Sequence, residues 1–191
     1  MSKLVAASVP LVLAMFAGVA HADGVYGTVG ITSGTSPSET YQSEASPIAN
    51  AHVGIGLRYG RIAVEAWAAG GRLDDECASS GDGPCRVGGA TRAVGLDLRY
   101  VRPIGRQLSV YGRGRMSTMS LTTDYVEDPI YDGRGLGVGF GIQVEHGILG
   151  FEGAAYLEFG YDFYRLHADG WSSIDVPFTS FTVGTSFGSD T

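Results

Sequence analysis

Few side chains in this sequence have the type and spacing that chemistry needs. Past the first residues there are three histidines, His52, His146 and His167, and two positions beyond them stand Gly54, Ile148 and Asp169. No His-x-Ser pair is therefore present, and isolated His or Asp residues are seldom sites. His167 reads as a loop histidine, and His52 as a residue of a polar interior or its rim. Cys77 and Cys85, in DDECASSGDGPCRVGG, are not spaced C-x-x-C and have no histidine near them, which argues against a metal or redox centre. In an exported chain an even, closely spaced pair reads as a disulfide, and closing its loop is worth about 2–3 kcal/mol. Asp74, Asp75, Glu76, Asp82, Asp124, Glu127, Asp128 and Asp132 could hold divalent cations, but no EF-hand spacing is present and solvated loop acids account for them. No cofactor and no metal is expected. What remains is ion pairing. Arg58, Glu65, Asp97, Arg99, Arg113, Arg115, Glu145, Glu152 and Glu158 all fall inside segments that otherwise read as β-strands.

The pattern that must position them is period-two alternation. Over 149–163, Leu149, Phe151, Ala155, Leu157, Phe159, Tyr161 and Phe163 share a face with Gly153, and Gly150, Glu152, Ala154, Tyr156, Glu158, Gly160 and Asp162 share the other. Strict alternation is a strand with one apolar and one polar face. This one exceeds the roughly 5–6 residues usual in soluble sheets and reaches the roughly 9–11 that a tilted strand needs to cross a bilayer. Seven further segments are strand candidates: 24–32, 51–59, 62–73, 91–101, 107–121, 134–145 and 174–187. The first is ambiguous as to its apolar face. In the last, Pro177 reads as a break of phase, a bulge or a frayed end. The connections 33–50, 74–90, 122–133 and 165–173 are long; those at Gly60-Arg61, 102–106 and His146-Gly147 are short. Long and short in alternation predict an all-β, eight-stranded antiparallel up-and-down transmembrane β-barrel with both termini on the short-turn side. Tyr59, Tyr100 and Phe187, where strands reach that side, make an aromatic girdle. These features favour it over a lipocalin-like soluble barrel or a periplasmic β-sandwich.

The ends and the composition agree with export. Lys3 supplies a positive start, 4–19 is apolar, and Ala20-His21-Ala22 is an A-x-A cleavage site. Residues 1–22 therefore read as a secretory signal peptide, and 23–191 as a single barrel domain. Glycine is abundant, 30 of 191 residues, but follows no G-X-Y period, which excludes a collagen-like chain. A formal net charge of −7 with no basic tract argues against nucleic acid as a partner.

Phe181-Thr182-Val183-Gly184-Thr185-Ser186-Phe187 resembles the C-terminal β-signal read by the barrel-assembly machinery: a polar residue, a glycine two on, and an aromatic at the strand end. Here Gly188-Ser189-Asp190-Thr191 follow, where the family usually ends on the aromatic. Together with the eight alternating segments, this makes the sequence resemble the OmpA/OmpX-type small outer-membrane barrels of Gram-negative bacteria, over nearly all of 23–191. The resemblance implies an outer-membrane location, contact with outer-membrane lipids and lipopolysaccharide, and the assembly machinery as a partner during biogenesis. It implies no single activity, because such barrels serve as adhesins, serum-resistance factors, lipid enzymes and envelope structure. The expected function is a monomeric barrel with a plugged polar lumen in a structural, adhesion or surface-interaction role. Loops 33–50, 74–90, 122–133 and 165–173 would carry any host or envelope ligand. A lipid A or phospholipid hydrolase is the lesser alternative, since the deacylases of this membrane carry a His-x-Ser pair. So is a narrow gated pore, because side chains fill an eight-stranded interior.

An outward arginine at the bilayer midplane costs about 2–4 kcal/mol, so Arg113 and Arg115 are expected to face inward, each with a carboxylate. Gly135, Gly137, Gly139 and Gly141 leave room for them on the neighbouring strand. With the turn at His146-Gly147, Gly141 falls opposite Glu152. That register predicts a network of Arg113 and Arg115 with Glu152 and Glu158, flanked by Glu145. A second network joins Arg58 to Glu65, and Asp97 to Arg99 or Arg113.

Overall fold

The computed structural model describes residues 24–36, 46–76, 86–123, 130–148, 151–170 and 173–190. They form eight strands: β1 (Gly24–Ser36), β2 (Ser46–Tyr59), β3 (Ile62–Glu76), β4 (Arg86–Pro103), β5 (Leu108–Thr123), β6 (Tyr131–Ile148), β7 (Phe151–His167) and β8 (Ile174–Asp190). The strands pair antiparallel in chain order and close into a barrel. Closure carries a definite stagger. From Val25 the Cα partners run through Leu57, Val64, Leu98, Gly114, Val138, Tyr161 and Thr179 and return to β1 at Thr35, ten residues further on. Eight strands with that shear, about 4.8 Å apart and rising about 3.3 Å per residue, tilt by about 40° and set a backbone radius of about 8 Å. An interior that narrow is filled by side chains.

Alternation decides what faces each way. Leu136, Val138 and Phe140 on β6 are 64–66% exposed, and so are Ile31 on β1 and Met116 on β5. Leu157, Phe159, Tyr161 and Phe163 on β7 are exposed too, while Ala154, Tyr156, Glu158 and Asp162 between them are buried. On β1, Thr28 is buried and Val25, Val29 and Ile31 are exposed, which settles that strand's faces. The barrel is thus inverted relative to a soluble fold, with apolar residues outside and charges inside. Tyr59, Ile62 and Tyr100 are neighbours across three strands at the short-turn end, and all are exposed. From that level to Leu136 and Phe163 the outward face stays apolar for roughly 20 Å along the axis, close to the ~25 Å band of membrane barrels.

Three expectations change. The strands run well into the segments read as loops: Ser33–Ser36 belongs to β1 and Asp74–Glu76 to β3. Polar composition marks where the ladder leaves the apolar belt, not where its hydrogen bonds stop. The turn between β6 and β7 lies past Ile148, not at His146-Gly147, because His146, Gly147 and Ile148 continue the ladder against Gly153, Glu152 and Phe151. Pro177 makes no bulge, since the β7–β8 register runs through Phe163↔Pro177 without a skip. The turn at Gly60 is as expected, with φ 56°, a conformation glycine adopts without strain. Cys77, Cys85 and residues 1–22 lie outside the described residues.

Candidate functional site

The charges meet inside the barrel on three adjoining rungs. The first runs through Glu65, Asp97, Arg115, Gly137 and Asp162, each the Cα partner of the next. The second holds Arg99, Arg113, Gly139 and Gly160. The third holds Tyr111, Gly141, Glu158 and Thr182. Glu65 faces Asp97 directly, and Arg99 faces Arg113, so apart from Asp97 with Arg115, which face each other on one rung, the attractive contacts form diagonally between rungs.

Asp97 is the hub. Its carboxylate accepts Nε and Nη2 of Arg115, each at 2.8 Å, Nε1–H of Trp67 at 2.8 Å, and Nη1 of Arg113 at 3.4 Å. The paired geometry to Arg115 is the strong, bidentate form. Arg113, whose side chain is wholly buried, also reaches Glu158 at 3.1 Å and Asp162 at 3.9 Å. Arg99 donates Nη2 to Glu65 at 3.2 Å, and Glu65 accepts Oγ1–H of Thr28 at 3.0 Å. Tyr111 donates its hydroxyl to Glu158 at 3.0 Å. Aromatic rings complete the cage: Arg115 lies 4.1 Å over Trp67, and Arg99 lies 5.4 Å from Tyr111 and 5.7 Å from Tyr156. Cations over ring faces gain most when desolvated.

The glycine strip of β6 makes this possible, one residue at a time. Tyr164 covers Gly135, Asp162 covers Gly137, Arg113 covers Gly139 and Tyr111 covers Gly141. A Cβ at Gly139 would lie 3.0 Å from Arg113 Nε, and one at Gly160 would lie 2.6 Å from Arg113 Nη2. The guanidinium therefore rests in a trough of two glycines on adjacent strands.

The expected partners differ in part. Gly141 faces Glu158, not Glu152, because the later turn moves its partner by six residues along β7. Six is even, so the face is kept. Glu152 pairs in register with Gly147 and Gly188 near the short-turn end, away from the arginines. Glu145 lies at that end too, opposite Ala154, and is exposed. Arg58 donates Nε to the Gly60 carbonyl at 3.0 Å and is not joined to Glu65, whose carboxylate is taken by Arg99 and Thr28. Trp67, Tyr111, Thr28 and Asp162 carry contacts that sequence reasoning did not assign. Their signal was a hydrogen-bonding or charged residue on the polar face of a strand.

Toward the long-loop end the lumen opens into a cavity of about 40 Å³, lined among others by His52, Trp67, Arg115, Tyr156, Asp162 and Tyr164. His52 is hydrogen-bonded to the Tyr156 hydroxyl at 2.7 Å. His167, at the end of β7, meets Ser173 Oγ through Nδ1 at 2.6 Å and is exposed. Among the described residues no carboxylate is hydrogen-bonded to either imidazole, and no group of three or more His, Cys, Asp or Glu residues could hold a metal.

No family model matches the sequence, and no curated protein matches it either. Solved structures do. Neisserial surface protein A (NspA) superposes with a TM-score of 0.62 at 14% identity, over 85% of this chain and 96% of that one. The outer membrane protein OprG from Pseudomonas aeruginosa superposes with a TM-score of 0.59 at 12% identity, over 90% and 98%. The chain has the fold of the small outer-membrane β-barrels. At such identities the likeness is one of architecture, and each barrel's interior must be read from its own residues.

Proposed function

We propose that this chain is an integral outer-membrane barrel whose lumen is plugged by its own ion-pair network and whose work is done at the outward rim, in a structural, adhesion or other surface-interaction role. The observation that carries the reading is the combination of an apolar outer belt with Arg99, Arg113, Glu65, Asp97, Glu158 and Asp162 all buried inside it. Charges are tolerated at membrane depth when they pair away from lipid. The network spans a lumen of about 8 Å backbone radius, so no continuous aqueous path is left for ions. Export with cleavage after Ala22 belongs to the same reading. The membrane-extracted protein is expected to migrate differently before and after boiling, and to give no steady large conductance in a planar bilayer. A stable large-amplitude conductance would sink the plug, and recovery of a soluble protein without detergent would sink the membrane.

The Cys77–Cys85 disulfide is proposed on a register argument. Glu76 and Arg86 are Cα partners at the ends of β3 and β4. Cys77 and Cys85 are the next residue on each side in the sequence, so the described strands bring the chain together at the two ends of the segment that carries both cysteines. The protein as isolated should take up no alkylating reagent until reduced, and Cys77→Ser should leave barrel folding unchanged. An alkylatable thiol in the unreduced protein, or loss of folding in Cys77→Ser, contradicts this.

A further inference from the structure

The lumen network does not balance. Among the described residues, four carboxylates, Glu65, Asp97, Glu158 and Asp162, meet three guanidinium groups, Arg99, Arg113 and Arg115, inside the barrel. The contacts sort them into pairs. Arg115 is held by Asp97 at 2.8 Å, Arg113 by Glu158 at 3.1 Å and Arg99 by Glu65 at 3.2 Å. Asp162 is the carboxylate left over. It is 1% exposed, and its Oδ1 has no hydrogen-bond partner. Its Oδ2 stands 3.9 Å from Arg113 and 3.9 Å from Arg115, each of which has a nearer partner. Among the described residues no other cationic side chain is paired with Asp162. His52 is bonded to the Tyr156 hydroxyl, and Arg58 donates to the Gly60 carbonyl at the short-turn end.

An uncompensated charge in a low-dielectric interior is costly, so a counter-charge belongs close to Asp162. Asp162 lines the cavity of about 40 Å³ that opens toward the long loops. One water needs about 10–15 Å³, so there is room for a small ion with about one or two waters. Asn50, Thr91 and Tyr164 line the same cavity and offer neutral oxygen atoms. The excess is a single negative charge. A divalent ion would overshoot it and takes several oxygen ligands, carboxylates above all. Among the described residues no group of three or more His, Cys, Asp or Glu could hold such an ion.

We propose that this cavity binds a small monovalent cation, an alkali ion or ammonium, at the Asp162 carboxylate, as the fourth cation of the lumen network. The neighbouring guanidinium groups do not forbid it, because their charges are met at closer range. Arg115 gives Nε and Nη2 to Asp97, and Arg113 gives Nη1 to Asp97 and Glu158.

The inference goes beyond the plugged barrel, and its test does not depend on conductance. The full chain, folded in detergent micelles, is unfolded in urea at fixed pH and ionic strength, since guanidinium is itself a cation. Sodium, potassium or ammonium replaces N-methylglucamine, which is too large for the cavity. A ligand that binds only the folded state raises the folded-to-unfolded ratio about tenfold as it passes from a tenth of its dissociation constant to ten times it. Wild type should show that rise with at least one of these ions, and the ion that serves best tells alkali metal from ammonium. Asp162→Asn leaves three carboxylates for three guanidinium groups. It should fold in N-methylglucamine alone and show no rise. Glu145→Gln, exposed near the short-turn end, should respond as wild type does. Should Asp162→Asn fail to fold, Glu158→Gln takes its place: it restores the same balance, frees Arg113 for Asp162, and should also remove the rise. A wild type whose stability follows pH and not the small ion would put the balancing charge on a proton, at Asp162 or His52, and overturn the site. An undiminished rise in the balanced variant that folds would overturn it too.

Discussion

Asp97→Ala is expected to lower the folding free energy by about 3–5 kcal/mol, because it leaves buried guanidinium groups without their counter-charge. Asp97 is 1% exposed and touches Arg115, Arg113 and Trp67 within hydrogen-bonding distance. Arg115 suffers most, since its other carboxylate, Asp162, stands 3.9 Å away. The loss would be read as a shift of the denaturant midpoint for protein folded in detergent micelles. Asp97→Asn keeps an acceptor for Trp67 and should lose less. Arg115→Met added to Asp97→Ala should recover part of the loss, since it removes the stranded cation and leaves an apolar chain against Trp67. The coupling in that double-mutant cycle isolates the pair from its neighbours. A cost below about 1 kcal/mol for Asp97→Ala, or no recovery in the double variant, would mean that the network does not hold the barrel.

The sequence made the faces legible and the heights only in part. Period-two alternation is a local signal, and it assigned Glu65, Asp97, Arg99, Arg113, Arg115 and Glu158 to one side of their strands. Which of them meet depends on turn positions and shear, and alternation continues straight through a strand end. His146, Gly147 and Ile148 keep the pattern of β6 while extending it, so the partner of Gly141 moved from Glu152 to Glu158. The diagonal contacts lay further out of reach. Arg113 reaches Glu158 two strands away only because Gly139 and Gly160 lie between them without side chains. Glycines on the polar face were visible in the sequence as room. What would fill each was set by neighbours on other strands.

Phe159→Arg tests what the apolar belt faces. Phe159 is 51% exposed near the middle of the belt, with ring centroids 5.7 Å from Phe140 and 5.0 Å from Phe181 on the flanking strands. In a barrel whose outer wall meets lipid, arginine at that depth costs about 2–4 kcal/mol, and the two lost ring contacts add roughly 0.5–1.5 kcal/mol each. On a surface that meets water, the charge itself would be nearly neutral, within about ±0.5 kcal/mol, leaving only the ring contacts. Phe159→Leu removes the rings without adding charge, so the difference between the two variants isolates the environment. Thr35→Arg supplies the depth dependence, because Thr35 is exposed at the long-loop edge of the belt, where the same charge should cost at most about 1 kcal/mol. Folding free energies measured in phospholipid bilayers should therefore fall in the order wild type, Thr35→Arg, Phe159→Leu, Phe159→Arg, with a gap of at least about 2 kcal/mol between the last two. If Phe159→Arg and Phe159→Leu are equal in cost, the belt does not face hydrocarbon.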